Sequence, residues 1–459
     1  MASPQIVWLR RDLRLADHSA FHAAAEAGPV IPVFVLDDDA AGDHANGGAA
    51  RWWLHHSLES LGKSLGRHRS RIVLRKGDAV EHLVKIADQT GAGCIHAIRH
   101  YEPWWQEAES RLGAECDLAL YDGNYLMPPG AVTSGSGDPY KIYTPFAKAM
   151  REVMPPRDVL DAPETIHAPG EWPEGDDLAD WNLLPTKPDW AGGLRDFWRV
   201  GEDAAHERLE EWAGEVSDYE DSRNLPSIDG SSRLSPHLHW GEISPAQVWH
   251  ALKGRRGQGW DTFAGELLWR DYAQNVVCQF PDYARESYRD GYAGLWRNPN
   301  RGHVIADELK AWQRGMTGYP IVDAGMRQLW QTGWMHNRVR MIAASFLVKH
   351  LLIDWRFGEQ WFWDTLVDAD YGNNGVNWQW ISGTGVDSNM FVRIMAPLTQ
   401  SAKFDAGDYI REYVPELADL SDDDIHDPPD DKRGDYPAKM IGHKEARERA
   451  LAAYREAKD

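Results

Sequence analysis

The chain holds 459 residues, 42% hydrophobic and 26% charged, enough for two or three domains with sizeable cores. A net charge of −22 argues against a generic polyanion binder, and no apolar run is long enough to span a membrane. Three scattered cysteines (Cys94, Cys116, Cys278) argue against a disulfide framework or a zinc site, which makes a reducing cytoplasm the expected compartment.

In chain order, Ile6-Val-Trp-Leu9 followed by Arg10-Arg-Asp-Leu-Arg14 reads as a short strand and a charged turn, not a signal peptide. Further strands are predicted at 30–36, 71–75, 94–98 and 117–121, with helices at 18–27, 50–65, 78–90 and 103–113 between them. Such alternation predicts βαβ units, hence an α/β domain with a parallel, doubly wound sheet. The first turn lacks GxGxxG, so NAD is not expected there. Residues 128–195 are rich in Pro and Gly and read as a connector with one short helix at 145–153. Helical patterns then follow at 197–213, 244–253, 260–278, 303–314, 321–332, 336–350 and 357–367. The expected organisation is an α/β domain over 1–130, a linker over 131–195 and an all-α domain over 196–459. The acidic run at 416–431 is expected to be a solvated face.

The chemistry-bearing strings lie in the helical part. With 23 tryptophans the chain is rich in side chains that stack on flat rings and can pass single electrons. Ser231-Ser-Arg-Leu-Ser-Pro236 places hydroxyls at a helix start, as a phosphate cradle would, or simply as a helix cap. Glu266, Trp269 and Arg270 share one helix face, where a carboxylate could bond a nucleobase edge while an indole stacks on it. Asn337 and Met341 share another face, with Arg338 and Arg340 directed elsewhere and free for phosphates. Asp368 and Asp370 are acceptor-only groups in a polar loop, suited to ribose hydroxyls, a buried arginine or flavin N–H groups. A metal is not expected. His55-His56 and His237/His239 read as surface and helix residues, and no zinc, P-loop or GxSxG pattern is present. These features alone describe a phosphate-bearing flat cofactor without naming a reaction.

Together the strings resemble the DNA photolyase/cryptochrome family. The resemblance runs from Val7-Trp-Leu-Arg-Arg-Asp-Leu-Arg14 to Lys403-Phe-Asp405. Its most specific blocks are Ser232-Arg-Leu-Ser-Pro236, Thr317-Gly-Tyr-Pro-Ile-Val-Asp-Ala-Gly-Met-Arg327, Gly333-Trp-Met-His-Asn-Arg-Val-Arg-Met341 and Asp368 to Trp380. The resemblance implies a Rossmann-like N-terminal domain, a helical FAD domain, and light-driven repair of cyclobutane pyrimidine dimers in UV-damaged DNA. Excited, reduced FAD would donate an electron to the flipped-out dimer and recover it after ring splitting. A signalling cryptochrome and a (6-4) photolyase are the alternatives, opposed by Asn374 and by Asn337 respectively. It assigns FAD binding to Tyr219, Ser231, Ser232, Arg233, Leu234, Ser235, Arg270, Arg340, Asp368, Asp370 and Asn374. Arg340 would pair with Asp368, and Asn374 would face flavin N5. Glu266 would bond the damaged bases, with Trp269, Trp380, Asn337 and Met341 around them. Arg223, Arg338 and Gln400 match positions near DNA. Trp378 and Trp355 match the inner members of an electron-transfer chain. Trp296 matches the surface member, with Trp312 as fallback. Tyr101-Glu-Pro-Trp-Trp105 stands where some relatives hold an antenna. Methenyltetrahydrofolate is favoured there over a deazaflavin or FMN. A monomer is expected. Asn377 and Asn389-Met-Phe391 depart from the commoner family residues.

Overall fold

The computed structural model describes residues 2–255, 257–388 and 394–458. Asn389-Met-Phe391 lies outside the described residues. By contact density the chain forms two compact units. One comprises Met1–Ser217, Ser232–Pro281 and Val367–Tyr371; the other comprises Asp218–Ser231, Asp282–Leu366 and Gly372–Asp459.

The first unit opens with five parallel strands, β1 (Gln5–Leu9), β2 (Val30–Leu36), β3 (Val73–Lys76), β4 (Cys94–Ile98) and β5 (Leu118–Tyr121), in the order β3-β2-β1-β4-β5. β1 and β2 are buried along their whole length, as unbroken apolar runs covered on both faces should be. The helices Ser19–Ala27 (α1), Gly48–Arg67 (α2), Ala79–Thr90 (α3) and Pro103–Glu115 (α4) alternate with the strands. Asp78 caps α3 by accepting from Glu81 N, and Pro103 opens α4 where its missing N–H costs nothing. Ile6, Trp8, Val33, Leu83, Ile95 and Leu112 sit in the core that sheet and helices share. Because strand order reverses direction beside β1, the turn after β1 and the turn after β4 flank a switch point, the usual ligand crevice of such sheets.

This unit continues with Tyr143–Glu152 (α5), Glu202–Glu215 (α6), Ser235–Trp240 (α7), Pro245–Leu252 (α8) and Gln258–Gln279 (α9). The helix predicted over 197–213 is interrupted. A short helix Gly192–Phe197 ends, and Gly201 at φ 114° starts the next one, a conformation suited to glycine.

The second unit contains His303–Gln313 (α10), Pro320–Thr332 (α11), Asn337–Ser345 (α12), Trp355–Thr365 (α13), Tyr371–Ser382 (α14), Pro397–Lys403 (α15), Gly407–Tyr413 (α16) and His443–Lys458 (α17). The first residue of α14, Tyr371, belongs to the first unit. The helix predicted over 336–350 changes character at Phe346, where Phe346–His350 form a π-helical turn. Helices α14 to α17 are additions to the sequence reading. Among the described residues no helix is long and apolar enough to cross a membrane.

Candidate functional site

In the first unit, charged groups gather around Asp370. Arg11, just past β1, donates to Glu102 at 2.9 Å, and both are buried. His239 on α7 lies 3.7 Å from Asp370. Burial opposes the charged form of Asp370, yet His239, Arg11 and Arg270 outweigh it and hold the carboxyl well below its ordinary range. Burial, reinforced by the Arg11 field, pushes His239 down to about 4, so its imidazole is neutral at pH 7. Burial pushes Glu102 up against the pull of Arg11, and Asp370 adds to the rise. His237 and His239 are thus helix residues as expected but buried, not on the surface. His237 Nδ1 meets Glu242 at 2.5 Å, while neither ring nitrogen of His239 makes a hydrogen bond.

The predicted face of α9 forms, and each of its members has its own task. Arg270 turns inward and donates to the Asn124 carbonyl and, at 3.3 Å, to the Leu238 carbonyl. Trp269 turns outward, 36% exposed, with Tyr143 stacked on one face at 3.4 Å and an interplanar angle of 7°. Tyr143 Oη is anchored by donating to Gly265 O at 3.0 Å, beside half-buried Glu266. Next along the helix, Asp271 is pushed up to about 7 by burial, against the Arg270 charge. At the helix-cap string, Leu234 is buried, Ser235 is exposed, and the Arg233 guanidinium covers Phe197 at 4.6 Å. Ser232 Oγ accepts from Leu234 N at 3.3 Å.

In the second unit, Arg223 stacks on Tyr219 at 5.3 Å. Asn337 is exposed and Met341 half-buried on α12. Arg338 and Arg340 are not free, as the spacing had implied. Arg338 grips Asn224 Oδ1 through two nitrogens at 2.6 and 3.1 Å and lies over Phe404, and Arg340 Nε donates to Met335 O at 2.7 Å. Spacing sets the direction of these side chains but not their partners.

Helix α14 carries Asn374, Trp378 and Trp380. Asn374 is buried, and its Nδ2 donates to Glu359 Oε1 at 2.9 Å and to Glu359 O at 3.2 Å. That commits the amide nitrogen, and the amide oxygen is by its chemistry an acceptor. Trp378 is 2% exposed, edge-on to Trp312 (6.3 Å) and to Phe362 (5.0 Å). Trp355 is fully buried and donates to Ser287 Oγ at 3.0 Å. Trp296 is half-buried, whereas Trp312 is fully buried and bonded to Ala343 O, which removes it as a solvent-facing member. Trp380 is 39% exposed, and Gln400 is half-buried on α15.

Family models described as "DNA photolyase" and "FAD binding domain of DNA photolyase" match residues 5–165 and 263–456. The deoxyribodipyrimidine photo-lyase of Agrobacterium fabrum is 45% identical over 98% of each chain. The chain belongs to the DNA photolyase family. Among solved photolyases, a bacterial class III photolyase from Agrobacterium tumefaciens superimposes with a TM-score of 0.94 at 44% identity, covering 100% of this chain and 98% of that one. An archaeal photolyase from Sulfolobus tokodaii, described with two FAD molecules and a novel light-harvesting cofactor, gives 0.84 at 28%, covering 99% and 100%. FAD is the cofactor that the matched domain implies, and the residues fit it. In the second unit the buried Asn374 amide has its Nδ2 committed to Glu359, and in the first unit the Asp370 carboxyl is held ionised, as an acceptor.

Five supporting side chains escaped the sequence reading: Tyr143 behind Trp269 and Arg11 with Glu102 near Asp370 in the first unit, and Glu359 behind Asn374 and Asn224 behind Arg338 in the second. Only Tyr143 carried a local signal, as an aromatic just ahead of Pro145 at the helix start predicted over 145–153.

Proposed function

We propose that this chain is a deoxyribodipyrimidine photo-lyase that uses light to split cyclobutane pyrimidine dimers in UV-damaged DNA. The observation that carries the proposal is Trp269: a large aromatic left 36% exposed, with one face already covered by Tyr143. Indoles are costly to leave in water, and a single open face on a rigid backing is what a flat base needs for stacking. Glu266, one turn earlier on the same helix, bonds the edge of that base and steadies negative charge developing on it in a water-poor pocket. A dimer is extruded into such a pocket at lower cost than an intact base pair because its pairing is already weakened. Trp380, Asn337 and Met341 complete the contacts to the lesion, and Arg223, Arg338 and Gln400 contact the DNA around it.

FAD, when bound, supplies the light-driven electron. Tyr219, Ser231, Ser232, Arg233, Leu234, Ser235, Arg270, Arg340, Asp368 and Asp370 hold it. Asn374 presents an acceptor and no proton to flavin N5, which favours repair over proton-coupled signalling. Trp378, Trp355 and Trp296 relay reducing electrons inward, with half-buried Trp296 at the solvent end. The antenna string places Trp104 and Trp105 beside a narrow crevice at the ends of β1 and β2, lined also by Arg10, Arg11, His44 and Trp240. Its paired indoles favour a flat chromophore of the methenyltetrahydrofolate kind over a deazaflavin or FMN.

The deciding assay is recovery of thymine absorbance in a cyclobutane-dimer oligonucleotide under blue light, using dithionite-reduced, FAD-loaded protein. A dark control and a (6-4) oligonucleotide run in parallel. Repair of the cyclobutane lesion alone is expected; failure on both lesions with photoreducible FAD bound would overturn the proposal.

A further inference from the structure

On α2, two imidazoles and a carboxylate to which no role is assigned above converge. His55 and His56 are adjacent in sequence, and Glu59 follows one helical turn later, at i+4 from one and i+3 from the other. His55 directs Nε2 at Glu59 Oε1, 3.6 Å away, and His56 directs Nδ1 at Glu59 Oε2, 3.2 Å away. One ligand atom from each residue lies within 4.8 Å of the others. Two histidines thus address the two oxygens of one carboxylate through different nitrogens, which a simple ion pair does not require. Around a four-coordinate transition ion with bonds of about 2.1 Å, neighbouring ligand atoms lie about 3.4 Å apart. The two histidine–carboxylate separations lie close to that value, and rotation of the three side chains, whose ligand atoms already lie within 4.8 Å of one another, closes the set. The side chains are 13%, 29% and 44% exposed, giving a site backed by protein and open on one side. The His56 ring is further held edge-on by Trp52, with centroids 4.7 Å apart.

We propose that His55, His56 and Glu59 form a binding site for a divalent transition-metal ion, with water in the remaining coordination position. Two imidazoles and one carboxylate select ions of the copper, nickel and zinc series over calcium or magnesium, and Cu²⁺ binds most tightly among them. This revises the expectation of a chain without metal.

The test titrates CuCl₂ into tag-free, EDTA-treated, FAD-loaded full-length protein. Trp52 supplies the signal by fluorescence quenching, and electron paramagnetic resonance counts the ligating nitrogens. Saturation at one equivalent with a two-nitrogen spectrum is expected. H55Q and H56Q should each weaken binding at least about tenfold, since removal of even outer partners costs that much. E59Q should weaken it less, and H22Q should bind as the parent does. Retained FAD absorbance establishes that each variant is folded. A H55Q/H56Q double variant that binds Cu²⁺ like the parent, or a parent spectrum with fewer than two nitrogens, would overturn the assignment.

Discussion

Asn374→Asp tests how the amide proposed to face the flavin is held. Asn374 Nδ2 lies 2.9 Å from Glu359 Oε1 and 3.2 Å from the Glu359 carbonyl, and both side chains are buried. The substitution replaces a donor between two acceptors with a second carboxylate. Two unit charges about 3 Å apart interact by roughly 5 kcal/mol at an effective dielectric of about 20. That raises the second ionisation of the pair by about four pH units, from the ordinary carboxylate range to about 8. The pair therefore keeps one shared proton at neutral pH and titrates as a unit. On the proposed role of Asn374, the parent offers flavin N5 an acceptor and no proton, whereas the variant offers a carboxyl that carries an ionisable proton. Infrared difference spectra between pH 5 and 10 should show, in the variant, one protonated carboxyl band more than the parent's buried Asp271 and Asp323 give, and it should disappear near pH 8. The light-induced flavin spectrum of the variant should change over the same interval while that of the parent stays constant. A variant with both carboxyls ionised at pH 7, and no such band, would refute the contact between Asn374 and Glu359 on which the reasoning rests.

Other perturbations separate binding, electron supply and stability. Trp378→Phe should slow photoreduction of oxidised flavin by at least about tenfold while repair by dithionite-reduced protein stays within about twofold, checked by flash absorption and the oligonucleotide assay. Glu266→Gln should lower dimer repair by about tenfold, the value of one hydrogen bond to a charged group, with FAD absorbance unchanged; undiminished repair would remove Glu266 from its role. Asp271 is pushed up from 3.8 to about 7 by burial, and its Oδ1 finds no partner, so its ionisation opposes folding. Its stabilising contribution is full below about pH 4 and lost as pH rises through about 7, a loss of a few kcal/mol in the limit. Asp271→Asn should flatten the fall in melting temperature between pH 5 and 8; parallel parent and variant curves would contradict the assigned burial.

β1 and β2 were legible because each is a short apolar run buried along its whole length, while the partly buried β3 and β5 were legible from their short apolar starts between helical patterns. The face of α9 was legible too, because positions three and four apart must coincide on a helix. What spacing could not supply was partners from distant sequence. Tyr143 reaches Trp269 across 126 positions of chain, the difference of their numbers, and Asn224 reaches Arg338 across 114. Arginines that look free by pattern are committed by such pairings, and a histidine such as His239 that looks superficial is enclosed by them.

Helix α14 is the sharpest case, and the reason bears on function. Its first half, Tyr371-Gly-Asn-Asn-Gly-Val-Asn377, is among the poorest helix-forming strings in the chain. Packing supplies what propensity lacks. Gly375 admits Ala284 so closely that an added Cβ would lie 2.8 Å from its methyl, and Gln379 Nε2 bonds the carbonyls of Tyr283 and Glu286 at 2.5 and 2.7 Å. On the helix so enforced, Asn374 and Trp378 stand at i and i+4, both buried on one side, while Trp380 projects 39% exposed from another. One element therefore carries together the residues proposed as flavin-facing acceptor and first electron donor, and presents outward the indole proposed to meet the lesion. Local sequence preference yields to tertiary constraint where the chemistry requires that geometry, so the segment least legible as a helix is the one on which the proposed reaction most depends.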